Sequence, residues 1–159
     1  MSAEIVGYLH SINASNGGVP KRARSSVHIR TSGLEGDAQR DLRHHGGVDR
    51  AVSLYSFDLI QALQAEGHPI APGSAGENLT LAGVDWSAMS PGARIEIGDV
   101  VLEVTQPASP CLNVAGSFRD GSIVRISDRK NPGWSRFYAR VLKEGLVSTG
   151  DTVRLVTQC

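Results

Sequence analysis

Short apolar runs separated by turn residues set the rhythm of the chain. Residues 4–10 read as a first strand, which the turn-forming residues 13–18 close. Ser26-Val27-His28-Ile29 alternates in polarity like a half-buried strand, and Gly33-Leu34-Glu35-Gly36-Asp37 breaks the run. Ala51-Val52-Ser53-Leu54-Tyr55 resumes as a strand. Ser56 can then cap a helix over about 57–66, with Ile60 and Leu63 facing inward and Gly67 as the stop. A further strand follows Gly76-Glu77-Asn78, so the helix reads as a crossover connection, not a hairpin. Residues 93–97 and 100–106 flank Gly98-Asp99, a two-residue hairpin signal. Beyond it, 112–118 suggests a short helix or irregular turn, and Asp120-Gly121 separates that stretch from 122–127. Asn131 or Ser135 can cap a second helix running to about Glu144, in which Phe137, Tyr138, Val141 and Leu142 share a face and Gly145 ends it. Residues 150–156 supply a closing strand.

Composition supports a β-rich reading. Eighteen glycines and seven prolines accompany only two tryptophans, three tyrosines and three phenylalanines, which favours many turns and short strands over a helical bundle. The expected fold is a β-barrel with a few short helices, and 159 residues are enough for one domain, 1–159, with its own core. Sixteen basic and sixteen acidic side chains cancel, which is not the charge footprint of a nucleic-acid binder. The amino terminus lacks a basic segment followed by a long apolar core, and no apolar run approaches the ~20 residues of a membrane span. A soluble, cytoplasmic protein without membrane partners is expected.

Two cysteines make no disulfide framework, and Cys159 is the last residue. Cys111 is different. It follows Gln106-Pro107-Ala108-Ser109-Pro110 at the far end of the expected hairpin, where two prolines hold the approach extended. A lone cysteine often serves as a small buried hydrophobe, yet a thiol delivered at the end of a rigid strand also suits metal ligation or sulfur chemistry.

Four polar clusters could join it. The basic segment 21–24 contains Arg22. The polar stretch 37–50 contains Arg43, His44, His45, Gly46, Gly47, Asp49 and Arg50, and loops of that length inside a compact domain tend to be functional or disordered. The third cluster is Gly76-Glu77-Asn78-Leu79-Thr80, and the fourth is Cys111 itself. Cations near the thiol would favour the thiolate that a metal ligand or nucleophile requires. Each element also has a plainer explanation. Adjacent histidines on extended backbone point in opposite directions, and no further ligand stands at zinc-finger spacing, which argues against zinc. The arginines can simply solvate a loop. Gly46-Gly47 lacks the rest of a phosphate-binding fingerprint, Glu77-Asn78 can be a strand-edge pair, and no Gly-x-Ser-x-Gly elbow is present. The residues alone define a thiol-bearing site suited to an anion.

Taken in order, Gly33-Leu34-Glu35-Gly36-Asp37, His45-Gly46-Gly47-Val48-Asp49-Arg50-Ala51-Val52, Gly76-Glu77-Asn78-Leu79, Gly98-Asp99 through Gln106-Pro107, and Pro110-Cys111 resemble the MOSC domain family. These are the carboxyl-terminal domains of molybdenum-cofactor sulfurases and their free-standing bacterial relatives. Gly133-Trp134, Tyr138-Ala139-Arg140-Val141-Leu142 and Gly150-Asp151 look like the family's closing helix and strand. The resemblance implies a β-barrel in which Cys111 ligates molybdenum of a molybdopterin cofactor or carries sulfur. His45 and Asp49 would then line the reaction centre, with Arg22, Arg43, Arg50, Gly46, Gly47, Glu77 and Asn78 around the cofactor. Relatives commonly carry arginine after the Gln-Pro pair, whereas this chain has Ala108, which removes one candidate cation.

Three functions follow as expectations. As an enzyme, the chain would reduce N-hydroxylated compounds or similar small substrates, with electrons from a separate reductase because no electron-transfer module is expected within it. As a sulfur carrier, Cys111 would receive sulfur from a cysteine desulfurase and pass it to a metal-sulfur assembly. As a binding module, its cysteine would be structural. Pyridoxal phosphate belongs to the sulfurase partner domain of fused relatives and is not expected here, since Lys21, Lys130 and Lys143 lack a recognisable Schiff-base setting.

Overall fold

The computed structural model describes residues 2–15, 22–37, 48–110 and 112–158. Its strands are β1 (Ser2–Ala14), β2 (Arg22–Arg24), β3 (Ser26–Arg30), β4 (Gly33–Leu34), β5 (Val52–Ser56), β6 (Leu79–Ala82), β7 (Arg94–Ile97), β8 (Val100–Ala108), β9 (Arg136–Lys143), β10 (Gly145–Ser148) and β11 (Thr152–Gln158). One α-helix, α1 (Phe57–Ala65), and four short 3-10 turns complete the described elements.

Seven strands close into a barrel. Their order is β11-β7-β8-β9-β5-β6-β1, and β1 returns to pair with β11. Closure depends on the length of β1, because Tyr8 has Ala82 of β6 as one partner and Thr152 of β11 as the other. A register shift between Leu9 and Ser11 bends β1 at His10, whose ring stacks on Phe57 at 3.7 Å. Closing the sheet in this way leaves these strands with no free edge along much of their length. A smaller sheet, β10-β3-β4, packs Val27, Ile29, Leu34 and Val147 onto the same apolar core.

The crossover expected from the sequence is present: β5 runs parallel to β6 and α1 connects them. Ser56 Oγ accepts a hydrogen bond from the Leu59 amide at 3.1 Å, and Ile60 and Leu63 are the buried residues of the helix. The Gly98-Asp99 hairpin joins β7 to β8 in the expected place, with Gly98 at φ +57.

The second expected helix is a strand. Residues 136–143 form β9, the strand between β5 and β8 at the centre of the barrel wall. Phe137, Tyr138, Val141 and Leu142 fit a 3.6-residue period, but Arg136, Phe137, Tyr138 and Ala139 are all buried in succession. A strand covered on both faces lacks the alternation that would have marked it.

Candidate functional site

Most buried polar side chains gather where β1 ends, β6 begins and β8 finishes. They include Asn13, Ser53, Glu77, Asn78, Thr80, Ser135 and Arg136. Burying so many polar groups is costly unless they satisfy one another, and they form two connected networks.

Asn78 is the centre of the first. Its side-chain oxygen accepts from the Ser53 amide at 3.0 Å and lies 3.2 Å from the Ser53 hydroxyl. Its Nδ2 donates to the Asn13 carbonyl oxygen at 3.3 Å and to Asp37 Oδ2 at 3.0 Å. Asp37 Oδ1 in turn accepts from the Ser15 amide at 2.8 Å. One side chain thus ties β5, the end of β1 and the residues after β4 together, and its four hydrogen-bonding positions are engaged within the chain.

The second network surrounds Glu77 and Arg136. Thr80 Oγ1 donates to Glu77 Oε2 at 2.9 Å and accepts from Asn13 Nδ2 at 3.1 Å. Glu77 is fully buried, and its Oε1 meets no hydrogen-bond partner of good geometry among the described residues. Burial is the dominant influence on this carboxyl and pushes its pKa up. The Gly73 and Glu77 amides, Thr80 and the Arg136 charge oppose the shift without overcoming it. Arg136 acts from beyond ion-pair distance. Only 5% exposed, it donates from Nη1 to the Ala75 carbonyl oxygen at 2.7 Å and from Nη2 to the Ser109 carbonyl oxygen at 3.2 Å. The guanidinium therefore bridges the loop before Glu77 and the two-residue approach to Cys111.

The strand carrying Arg136 is fixed from several sides. Tyr55 donates its hydroxyl to the Trp134 carbonyl oxygen at 2.7 Å, and Trp86 Nε1 donates to the Ser135 carbonyl oxygen at 2.7 Å. Burial raises the Tyr55 pKa well above that of a free phenol, so the hydroxyl remains a donor. Trp134 is also stacked by Arg125, 3.9 Å from the ring centre, and Arg125 forms a two-pronged pair with Glu66 at 2.9 and 2.7 Å.

The residues singled out in the sequence separate into three groups. Cys111, His45, Arg43, Gly46 and Gly47 lie outside the described residues. Glu77 and Asn78 are in the buried networks. Asp49 and Arg50 are held against the β8–β9 ladder: Asp49 Oδ1 pairs with Arg140 Nη2 at 3.1 Å, its carbonyl oxygen accepts from Thr105 Oγ1, and Arg50 lies 5.7 Å from the Tyr138 ring centre. Arg22 is in β2, paired with Ala14 of β1. Among the described residues, no three histidine, cysteine, aspartate or glutamate side chains gather as a metal cage.

Sequence reasoning missed Arg136. It stood at the start of an expected helix, where an arginine after a capping serine carries no distinguishing signal. Asn13 and Thr80 had no distinguishing signal, since their significance depends on the pairing of β1 with β6.

This barrel, with its buried polar networks around the exit of β8, defines the class to which the chain belongs. The family model described as the MOSC domain matches residues 41–154, and the chain is a member of that family. The family is associated with molybdenum-cofactor binding and with sulfurase and reductase-type functions.

Among curated relatives, YflK of Bacillus subtilis (strain 168) is 34% identical over 143 residues, covering 89% of this chain and 64% of the relative. A protein named "Reductase" from Gibberella moniliformis is 33% identical over 118 residues, covering 70% of this chain and 20% of the relative. The chain thus spans less than two thirds of either relative's length. The crystal structure of YuaD from Bacillus subtilis superimposes with a TM-score of 0.77, covers the whole of both chains and is 16% identical, a likeness of fold.

Proposed function

We propose that this chain binds a molybdenum-pterin cofactor, with Cys111 as thiolate ligand to the metal, and supports reduction of N-hydroxylated compounds by electrons from a separate donor. The observation that carries this reading is the attachment of the Cys111 approach to a buried cation. Arg136 holds the Ser109 carbonyl oxygen, so the segment entering Cys111 departs from a fixed point of the barrel.

A soft thiolate suits molybdenum. The cofactor would supply the metal's electron-transfer chemistry. The protein residues hold and orient. Arg136 and the Pro107 and Pro110 backbone restrain the Cys111 approach, Asn78 locks the adjacent strands, and Glu77 places a carboxyl beneath them. Net conversion of a hydroxylamine to an amine consumes two electrons and two protons and releases water, so both an electron donor and a proton supply are required. The 33% identity to part of a longer protein named as a reductase favours this reaction class over sulfur transfer.

Purification from a host that makes the cofactor tests the proposal. Near-stoichiometric molybdenum, pterin fluorescence after oxidation, and reduction of an N-hydroxylated base by a chemically reduced dye are expected, with all three lost in Cys111→Ser. Metal-free protein that instead gains one sulfur atom at Cys111 after incubation with a cysteine desulfurase would replace this reading with the carrier function.

A further inference from the structure

His68 is placed so that one of its ring nitrogens must stay unprotonated. It lies just beyond the end of α1 with its side chain only 8% exposed, and its ring meets Phe118 edge to face at 5.4 Å. Nδ1 accepts a hydrogen bond from the Arg119 backbone amide at 3.1 Å. A backbone N–H cannot turn away as a hydroxyl can, so this contact requires a lone pair on Nδ1 and leaves the ring hydrogen on Nε2, which is 3.5 Å from Glu66 Oε1. The contact helps to fasten the two 3-10 turns that follow Cys111, Leu112–Ser117 and Ile123–Ile126, to the connection between α1 and β6. Ser117 Oγ adds contacts with the Ser74 carbonyl and hydroxyl oxygens at 2.9 and 2.8 Å, and Arg125 adds its two-pronged pair with Glu66.

We infer that His68 is an acid-sensitive latch on the wall formed by residues 112–127, closed while the ring is neutral and released when Nδ1 takes a proton. Imidazole is the side chain that changes charge between about pH 5 and 8. A proton on Nδ1 sets N–H against N–H across 3.1 Å, and the Arg119 amide loses its acceptor. The charged groups around the ring do not offset that loss. From the facing segment, Arg119 Nη1 lies over Gly67, and Asp120 Oδ1 is committed to the Ser122 amide. From the end of α1, Glu66 is the nearest anion, but its Oε1 already accepts from Arg125 Nε at 2.9 Å. An imidazolium can draw on Glu66 only by sharing that oxygen, and it adds a third cation beside Arg119 and Arg125. The Ser74–Ser117 contact contains no titratable group, so it remains as the fixed point while the residues beyond 117 loosen. The inference goes beyond the molybdenum reading, because the latch is built from side chains and backbone of this chain alone.

The experiment records nitrogen-proton spectra of the full native chain from about pH 8 to about pH 5. At the upper end the His68 ring signals should show hydrogen on Nε2 and none on Nδ1. As the ring protonates, the Arg119 amide signal should move with it, and the protection of that amide against exchange, corrected for intrinsic pH dependence, should fall by about tenfold. The Val104 amide, bonded to the Ala93 carbonyl oxygen within the barrel, is the reference and should keep its protection. His68→Gln retains a side-chain acceptor that does not titrate in this range, so the pH dependence at Arg119 should disappear. Hydrogen on Nδ1 at the upper end, protection of Arg119 that does not change while the ring titrates, or the same loss at Val104 as at Arg119 overturns the proposal. So does an unaltered pH dependence in His68→Gln, and the native spectra decide the matter if that variant does not fold. Failure of the latch leaves the molybdenum analysis of the native protein intact.

Discussion

Arg136 stands directly opposite Ala108 in the β8–β9 ladder, and its guanidinium reaches the carbonyl oxygen of Ser109, the residue just beyond the end of β8. The sequence places alanine at the end of β8, and the barrel brings a cation to the same strand exit from the facing strand. Directly opposed residues have Cβ atoms only about 5 Å apart. That juxtaposition depends on strand pairing alone. It is invisible in the sequence because positions 108 and 136 are neighbours only after β8 and β9 pair.

The Asn78 network predicts a large structural effect. Asn78→Ala removes hydrogen bonds to Ser53, Asn13 and Asp37 and leaves buried backbone groups unpaired. Stability should fall by about 3 kcal/mol, measured by urea unfolding. Asn78→Asp should be at least as damaging, because it places a carboxylate against Asp37 and the Asn13 carbonyl oxygen. A loss below about 0.5 kcal/mol in the alanine variant would show that the network contributes little.

Glu77 predicts a pH dependence with a definite sign. Its pKa is raised in the folded state by burial, so the native chain binds this proton more tightly than the unfolded chain does. Below the ordinary carboxylate pKa both states are protonated and the contribution is fully present. As pH rises through that value the unfolded state releases the proton first, and stability declines until the raised folded pKa is passed. Glu77→Gln removes this dependence. Melting temperatures from pH 4 to 8 should show the variant gaining on the native chain as pH increases; parallel curves would refute the assignment.

Close backbone approach at Gly7 supplies a steric prediction. A Cβ there would collide with the Ala82 carbonyl oxygen and stand 2.9 Å from Val84 Cγ2. Backbone cannot yield as a flexible side chain can, so Gly7→Ala should cost about 2 kcal/mol or more. Gly150 provides the comparison, since it has φ +91 and open space around its Cβ position. Its replacement by alanine should cost only about 1 kcal/mol, from backbone conformation alone. Chemical denaturation of both variants checks the order, and a milder loss at Gly7 than at Gly150 would contradict it.

Local signals predicted what local forces build. Ser56 followed by an apolar period specified the cap and inward face of α1, because both depend on residues within a few positions of one another. Gly98-Asp99 marked the β7–β8 hairpin for the same reason. Ordered motifs around Glu77-Asn78 and Pro110-Cys111 also carried the family. They could not say that Asn78 is consumed by Asn13, Ser53 and Asp37, since these residues come from distant segments.

The clearest division falls between 100–108 and 136–143. Sequence by itself determined that the first is a strand leading to Cys111, through its hairpin turn and its β-branched run. Only tertiary structure decided that the second is a strand as well, because Phe137, Tyr138 and Ala139 are buried by pairing with β5 and β8, not by any pattern of their own. With that pairing came Arg136, whose place beneath the Cys111 approach depends on contacts with Ala75 and Ser109 across 61 and 27 residues of chain.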